Sequence, residues 1–364
     1  GLIAYAHNNA SGWYNISWKN RINITIPSSQ VSADLIDFPI YVDLSTLPAE
    51  FFDGVNTTGE DVRVTKSDAV TELPREVVDI DTSANTGELH FLANLSSSQD
   101  NEFWIYYNNT AATEPAANST YGSQAVWKDY LAVYHLGEDS GNITDSVKGN
   151  KAVPIGFSGS RRATGMVGNS TIFDGNQQYF NDSTTELNGL SALTITAWTR
   201  SDELGQNNGV LIGKTPDGND ETIGFRQDES GINGGGNRSW KMGITTTGGT
   251  QQLEGSNNTQ TNAWQHLALS WSSGNNISWY VNGTLDDPQW TGSAVTGTTT
   301  SIQDLLIGIG AKSNSTTGWN GTIDEFRIYN GTLTADWIQT EKRLQYTDLT
   351  IGTLEVIPQL SVTN

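Results

Sequence analysis

The stretch that decides the fold reads WNGTIDEFRIYNGTLTADWIQTE and covers residues 319–341. Residues 323–329 form a short apolar segment that carries two adjacent carboxylates, Asp324 and Glu325, and the segment predicts a β-strand. Thr334 then precedes residues 335–344, where apolar side chains recur at spacings of three and four. That spacing predicts a helix whose first turn is capped by the threonine hydroxyl. The stretch therefore predicts a strand that leads into one short helix.

Outward from this stretch, the chain of 364 residues consists mainly of short alternating segments separated by Gly, Asn and Asp. Ile22, Ile24 and Ile26, for example, share one face of a predicted strand. Residues 110–123 lack any periodicity and are typical of a linker. No repeat of 20 to 50 residues is evident, which excludes solenoids and propellers. We predict an all-β chain with two β-sandwich domains at 1–110 and 126–347, a linker at 111–125, and a C-terminal strand and tail at 348–364.

Seven motifs of the second half occur in a characteristic order: LAVYHLGE (131–138), TDSVKGN (144–150), GNSTIFDGNQQYF (168–180), LTITAWTR (193–200), WQHLALSW (264–271), WYVNGTL (279–285) and the stretch at 319–341. Together they resemble the laminin-G-like jelly roll of the concanavalin A-like superfamily over about 126–344. The resemblance implies a jelly roll with one short C-terminal helix. It does not imply one activity, since this fold hosts lectins, enzymes and spacers.

The first half carries a second set of motifs: WKNRINITI (18–26), FPIYVDLS (38–45), EDVRVTKSD (60–68), LPREV (73–77) and FWIYYNN (103–109). They resemble an uncharacterised prokaryotic β-domain that often precedes such jelly rolls. The pairing of the two domains is typical of bacterial and archaeal envelope proteins. The resemblance therefore implies an extracellular or cell-surface setting.

Composition excludes several classes of function. The net charge is −21 and the isoelectric point is about 4.3, which argues against nucleic acids and anionic membrane surfaces as partners. There are no cysteines, so disulfides, thiolate metal sites and cysteine nucleophiles are excluded. No run of 18 apolar residues occurs, and we therefore expect no transmembrane segment.

The chain is rich in N-x-S/T sequons, the acceptor sites of N-linked glycans. It contains 17, whereas random placement of its residues predicts roughly seven. Either the protein is exported and glycosylated, or an Asn- and Thr-rich loop protein carries accidental sequons. The excess favours the first interpretation, with glycans expected on loops and strand ends. The candidate sites are Asn9, Asn15, Asn23, Asn56, Asn94, Asn108, Asn118, Asn142, Asn169, Asn181, Asn237, Asn257, Asn276, Asn282, Asn314, Asn320 and Asn330.

No catalytic constellation stands out in the sequence. Retaining glucanases of this fold carry E-x-D-x-x-E on one strand, and this chain has no such pattern. Asp324 and Glu325 are adjacent, so a regular strand would send them to opposite faces. The four histidines, at positions 7, 90, 135 and 266, show no metal-like spacing, and those at 135 and 266 lie within apolar strand patterns. We predict no catalytic residues and a protein that is not an enzyme.

Two kinds of binding residue remain candidates. Asp139, Asp145, Asp174 and Asp324 lie in loops or open a strand, and carboxylates with loop carbonyls suit Ca²⁺. Jelly rolls of the superfamily often hold calcium, so the resemblance implies a structural Ca²⁺, the alternative being solvated loop acids. Among the tryptophans, those at loop edges are candidates for stacking on a sugar, the alternative being packing in the core. They are Trp240, Trp290 and Trp319.

The segment 348–357 predicts a further strand with a bulge at Gly352. Such a strand needs a sheet edge, either in its own first domain or in a neighbouring subunit. We interpret the chain as a secreted, N-glycosylated structural or adhesive surface protein, and as a candidate repeating subunit of an archaeal envelope layer, filament or appendage. The alternative is a calcium-assisted, glycan-binding lectin. Expected partners are copies of itself, other envelope proteins or glycans.

Overall fold

A computed structural model of the chain describes residues 12–205, 211–214, 223–228, 238–286, 290–300, 302, 304–308, 318–347 and 349–357. For residues 211–214, 228, 290 and 291 only the backbone is described. Within these ranges the chain forms two compact units. Unit 1 contains the described residues of 1–128 and 343–364, and unit 2 those of 129–342.

Antiparallel strands dominate both units. In chain order they are β1 (Asn20–Ile26), β2 (Leu35–Asp43), β3 (Arg63–Lys66), β4 (Glu72–Leu73), β5 (Arg75–Asp81), β6 (Thr86–Leu95), β7 (Asn101–Tyr107), β8 (Tyr130–Tyr134), β9 (Ile143–Thr144), β10 (Lys151–Ile155), β11 (Arg162–Thr164), β12 (Asn169–Asp174), β13 (Tyr179–Asp182), β14 (Ala192–Ser201), β15 (Leu211–Lys214), β16 (Ile223–Asp228), β17 (Ser239–Thr246), β18 (Gly249–Glu254), β19 (Trp264–Ser272), β20 (Ser278–Val281), β21 (Thr284–Leu285), β22 (Trp290–Thr291), β23 (Asp304–Ile307), β24 (Asn320–Tyr329) and β25 (Thr350–Val356). The α-helices are α1 (Ala49–Gly54), α2 (Ser123–Val126) and α3 (Ala335–Tyr346), and short 3-10 turns lie at Ser28–Gln30 and Leu44–Thr46. No helix in the described ranges is both long and apolar enough to cross a bilayer.

Unit 1 contains two sheets. One has the order β25-β1-β7-β3-β4 and the other the order β2-β6-β5. The alternating isoleucines of β1 are fully buried, as their spacing predicted. Phe91 of the smaller sheet packs edge-on against Phe103 of the larger one, with ring centroids 4.9 Å apart. The apolar faces of the two sheets therefore meet, as in a β-sandwich.

The segment predicted as a linker belongs to unit 1. Buried Arg75 pairs with Glu114 at 2.7 Å, and Arg63 donates to the carbonyl of Thr113 at 2.8 Å. Trp127, just after α2, is also buried and donates to Glu76. Sequence periodicity cannot reveal these ties, because arginine side chains hold Thr113 and Glu114, which lie outside any regular strand or helix.

Unit 2 is built on one long sheet, ordered β11-β12-β24-β14-β19-β20-β21, with β8 also paired to β24. Two further sheets have the orders β15-β23-β13-β10-β9 and β16-β17-β18-β22. A single apolar core contains side chains from all three, among them Ile195, Phe326, Phe180, Ile307 and Met242. The all-β prediction is confirmed, including a short C-terminal helix.

Helix α3 begins where the sequence predicted. The hydroxyl of Thr334 accepts a hydrogen bond from the backbone N–H of Trp337 at 3.2 Å, which caps the first turn. Strand β25 pairs with β1 of the same chain. Asn23 of β1 lies opposite two residues, Gly352 and Thr353, so the predicted bulge is present. Of the two edges considered for this strand, the structure shows the one in its own chain.

Candidate functional site

A β-bulge in β24 determines where the adjacent carboxylates of Asp324 and Glu325 point. In the ladder between β14 and β24, Trp198 pairs with Asp324 and Thr196 with Arg327, so two residues of β24 oppose Ala197 alone. Glu325 has a φ of 51°, a left-handed conformation that is uncommon for a residue other than glycine. The extra residue places Asp324, Glu325 and Arg327 together on the face opposite the apolar core. The prediction that the two carboxylates lie on opposite faces is therefore wrong.

Arg327 is the centre of a buried ionic cluster on this face. Its guanidinium donates to Glu325 at 2.8 Å and to Glu341 of α3 at 2.9 Å. Glu325 also contacts Nδ1 of His135 at 2.5 Å. All four side chains are buried. Although burial alone would lower the pKa of Arg327, the carboxylates of Glu325 and Glu341 raise it above its usual value. The arginine is therefore charged and neutralises acids that water does not reach.

His266 lies beside this cluster without joining it. Its Nε2 is 3.8 Å from Oε2 of Glu341, beyond hydrogen-bonding distance, and its Nδ1 has no partner. Burial, with smaller contributions from the charges of Arg327 and Lys342, lowers the pKa of His266 to about 3. Burial raises the pKa of Glu341, and Arg327 opposes that change. The imidazole is therefore neutral throughout the ordinary pH range.

Asp324 fastens a loop to the sheet. One carboxylate oxygen accepts the backbone N–H groups of Met166 at 2.7 Å and Val167 at 2.9 Å. The backbone of Gly165 lies so close that a Cβ there would collide with the same carboxylate. Charge-assisted bonds to two backbone donors make Asp324 a structural acceptor in this fold.

The other aspartates predicted to bind calcium lie in separate places. Asp139 is exposed and accepts from Ser160, and Asp174 is exposed and accepts from the backbone of Asn176. Asp145 is buried and accepts three backbone N–H groups. Among the described residues, no three acidic groups of this set have ligand atoms within 4.8 Å of one another. The structure therefore does not bring these four aspartates together around one position.

The structure does place other acids near Asp145. A small cavity is lined by Asp145, Asp182 and Glu186, with oxygen donors from Asn150 and Thr184. Burial raises the pKa values of Asp145 and Asp182 above their usual range, and the charge of Glu186 raises both further. The hydroxyl of Tyr134 donates to Asp182 at 2.8 Å. The sequence did not predict a role for Asp182 and Glu186. They lie about 40 residues after Asp145 in the chain, and only the fold brings them next to it.

The tryptophans proposed to stack on sugars do not form a surface. Trp240 and Trp319 are completely buried, and their rings stack on each other with centroids 6.3 Å apart. Both belong to the apolar core of unit 2. The prediction that Trp240 and Trp319 are exposed ligand-binding residues is wrong. In the sequence both lie at the edge of a loop, but in the folded unit they lie at the beginning of β17 and just before β24, where core side chains cover them. The side chain of Trp290 lies outside the described residues.

Sequon asparagines are accessible wherever the structure describes them. None is buried, although Asn9, Asn237 and Asn314 lie outside the described residues. Asn23 and Asn181 lie within β1 and β13, which differs from the expectation of loops and strand ends. The fully exposed ones are Asn15, Asn94, Asn118, Asn142, Asn257, Asn276, Asn282 and Asn330.

The amide groups of these asparagines fall into two geometries. In Asn94, Asn276 and Asn282, Oδ1 accepts a hydrogen bond from the protein, which orients the side chain and leaves Nδ2 for a sugar. In Asn23 and Asn108, Nδ2 itself donates to a protein oxygen. A glycan on Nδ2 leaves the hydrogen bonds of the first group untouched, whereas in Asn23 and Asn108 it replaces a hydrogen on the atom that donates.

Comparisons with known proteins agree with the fold of unit 2. Residues 174–339 match the family model of the concanavalin A-like lectin/glucanases superfamily. Unit 2 therefore contains a concanavalin A-like domain, as the motifs of the second half implied. A search of curated proteins found no match.

Solved structures with a similar fold include the binding domain of Paraclostridial Mosquitocidal Protein 1, at 14% identity and a TM-score of 0.46. That match covers 59% of this chain, which spans about half, 52%, of that domain. Domain 4 of the GH43 arabinanase AbnA from Geobacillus stearothermophilus, in complex with arabinotriose, is 20% identical at a TM-score of 0.42, covering 58% of this chain and 97% of that one. Trypanosoma rangeli sialidase is 15% identical at a TM-score of 0.45, covering 70% and 43%.

These findings correct one conclusion drawn from the sequence. The superfamily whose model matches residues 174–339 includes glucanases as well as lectins. The prediction that the chain is not an enzyme is therefore wrong. It rested on the lack of a known catalytic motif, and a chain without that motif can still belong to a superfamily that contains enzymes.

Proposed function

We propose that the protein is an exported, N-glycosylated structural or adhesive component of a prokaryotic cell surface. The observation that carries the proposal is the accessibility of every described sequon asparagine in a chain with more than twice the expected number of sequons. A glycan needs an amide that faces solvent. If the sequons were accidental, we would not expect hydrogen bonds to orient the amides as they do in Asn94 and Asn282. The acidic surface further supports an extracellular role without nucleic acid.

Intact mass spectrometry of the protein from its native source tests glycosylation directly. We expect a mass several kilodaltons above the 39.4 kDa of the bare chain. Glycopeptides should map to exposed sequons such as Asn94 and Asn282 more often than to Asn23 and Asn108. A native mass equal to that of the bare chain would end this proposal.

Within this role, we propose that the chain is a repeating subunit of an archaeal envelope layer, filament or appendage. Two glycosylated β units in one chain suit a surface lattice, and copies of the chain or other envelope proteins would be its partners. Electron microscopy of the native surface, with antibody labelling, is the test. Regularly spaced label supports a repeating subunit, and isolated or absent label on intact cells contradicts it.

A second candidate function is carbohydrate binding by unit 2, favoured by its match to a superfamily of lectins and glucanases. Trp290 is the sequence-predicted sugar-stacking residue whose side chain lies outside the described residues. A glycan array is the test: micromolar binding that Trp290→Ala abolishes, with the fold intact, supports a lectin site there. No binding to any immobilised glycan contradicts this function.

A structural calcium ion stays a prediction, and we place it at the cavity beside Asp145 rather than at a site shared by all four aspartates. The acidic cavity beside Asp145 supplies carboxylate, amide and hydroxyl oxygens, the ligand types that Ca²⁺ prefers. Bound calcium would stabilise the folded state by mass action, so EDTA should lower the Tm. An unchanged Tm, with no metal by elemental analysis, contradicts the prediction.

A further inference from the structure

An apolar patch lies on the outer face of one sheet of unit 2. Phe180 of β13 is completely buried in the core, so its neighbours Tyr179 and Asn181 point outward. Across the ladder, Ile155 of β10 pairs with Tyr179, and Val153 pairs with Asn181. Val153 is 47% exposed and Ile155 39% exposed, so this face carries adjacent apolar side chains that are open to water.

Asn181 is in the middle of this patch. Its partner on the other side is Leu306 of β23, which packs against Tyr179. Oδ1 of Asn181 is buried and accepts no hydrogen bond. Nδ2 is not buried in this way and makes no hydrogen bond in the described structure, so it is available at the surface. Asn181 is followed by Asp182 and Ser183, which completes a sequon.

We propose that an N-linked glycan on Asn181 covers this patch, its first sugar ring packing on Tyr179, Val153 and Ile155. The proposal rests on the glycosylation proposed above and adds a stabilising role for one glycan. Val153 lies directly opposite Asn181, where Cβ atoms are about 5 Å apart, and Ile155 is its diagonal neighbour at roughly 7–8 Å. Tyr179 is two residues away on the same strand, about 7 Å along it. A sugar ring attached to Nδ2 is large enough to contact all three side chains. The C–H face of a sugar ring packs well on aromatic and aliphatic side chains and would remove their apolar surface from water.

The attachment requires a glycosyl donor of a defined class, a lipid-linked sugar phosphate or diphosphate. Nδ2 attacks the anomeric carbon of the donor and loses one proton to a base of the transferase. A carbon–nitrogen bond forms as the bond between the anomeric carbon and the phosphate oxygen breaks, and the phosphate leaves with the electron pair. The secondary amide that results keeps Oδ1 in place against the sheet.

The experiment compares glycosylated protein from the native source with the same chain from a host without N-glycosylation. Glycopeptide mass spectrometry first establishes that a sugar is covalently attached at Asn181. In the glycosylated protein, Asn181→Gln should lower the Tm of unit 2 by about 2–4 °C relative to the control Asn142→Gln. Asn142 lies in an exposed loop. In the unglycosylated protein the two variants should have the same Tm.

Tyr179→Ser provides a second variant, and it should lower the Tm more in the glycosylated protein than in the unglycosylated one. If Asn181 carries no sugar while other sequons do, this inference fails and the proposed function stands. If no sequon carries a sugar, both fail. If Asn181 is modified but Asn181→Gln lowers the Tm equally in both forms of the protein, the glycan does not pack on the patch.

Discussion

At the scale of single residues, Arg327 governs the stability of unit 2. It is fully buried between two carboxylates, one from its own strand and one from α3. Removing the guanidinium leaves Glu325 and Glu341 buried without their cation. We expect Arg327→Met to reduce the free energy of unfolding by about 3–5 kcal/mol, measured by urea denaturation.

Lys151→Met is the control for this substitution, because Lys151 lies exposed on β10. A surface change of this kind should stay within about 0.5 kcal/mol. If Arg327→Met were no more destabilising than Lys151→Met, the ionic cluster would contribute nothing to the fold.

His266 makes the stability of unit 2 sensitive to acid. Its pKa is about 3 in the folded state and near 6.5 when the chain is unfolded. Below pH 6.5 the unfolded chain therefore binds a proton that the folded chain does not, so stability falls as pH falls from 6.5 towards 3. Between pH 7.5 and 5.5 the loss due to this group should be about 1 kcal/mol.

His266→Asn removes this contribution, and its free energy of unfolding should vary less between the two pH values than that of the wild type. Glu341, whose pKa is raised, acts in the opposite direction, and it is present in both proteins. Equal pH dependence of wild type and variant in urea titrations would show that His266 is not the titrating group.

Sequence reasoning succeeded for some residues at this scale and failed for others. The cap at Thr334 follows from local hydrogen-bonding chemistry, and the buried state of His135 and His266 follows from the apolar strands around them. The bulge at Glu325 was not predicted. The two adjacent acids between Ile323 and Phe326 interrupt the alternation of the strand, but a positive φ at a glutamate depends on tertiary contacts that the local sequence does not show. That one residue moved two carboxylates onto the same face.

At the scale of elements, Gly321 limits what β24 can tolerate. It lies between β12 and β14 with a φ of 143°, and a Cβ there would collide with the carbonyl oxygen of Arg200. Gly321→Ala should cost about 3 kcal/mol of unfolding free energy, and it leaves the sequon at Asn320 intact.

Gly274→Ala is the matched control, since Gly274 also has a positive φ, of 84°, but faces open space. Its cost should be about 1 kcal/mol, from backbone conformation alone. Thermal melts of the two variants separate the collision from the conformational effect, and equal Tm values would contradict the predicted collision.

Elements with local signals were predicted well. Helix α3 was expected at 335–344 and runs from Ala335 to Tyr346, and the bulge of β25 lies at Gly352 as predicted. The segment at 111–125, predicted as a linker, falls within unit 1, where Arg63 and Arg75 hold it through contacts that leave no periodic pattern in the sequence. The exposure of Trp240 and Trp319 was predicted wrongly for a related reason. Whether a residue at the end of a strand is buried depends on the packing of the whole unit, which the local sequence does not show.

At the scale of the molecule, β25 completes the larger sheet of unit 1. Deleting residues 348–364 exposes the edge of β1, whose N–H and C=O groups then lack partners. We expect the truncated chain to have a lower Tm for unit 1 and to aggregate on heating, as followed by light scattering.

Deletion of residues 358–364 alone is the control and should leave the Tm of unit 1 unchanged. If the longer deletion also left it unchanged, the pairing of β25 with β1 would not contribute to stability. If purified protein lacking 348–364 still formed the native assembly, contacts between copies would lie elsewhere than on this strand.

The pairing of β1 with β25 also fixes an order of events during synthesis. More than two hundred residues separate β7 from β25, and all of unit 2 lies between them. At translation rates of 5–20 residues per second, β1 waits roughly 10–50 s for its second neighbour. Unit 2 has every strand it needs before that moment, whereas unit 1, most of which is synthesised before unit 2, is completed after it. During that interval the edge of β1 that β25 later covers has unpaired N–H and C=O groups, the feature of an open strand that favours pairing with other chains.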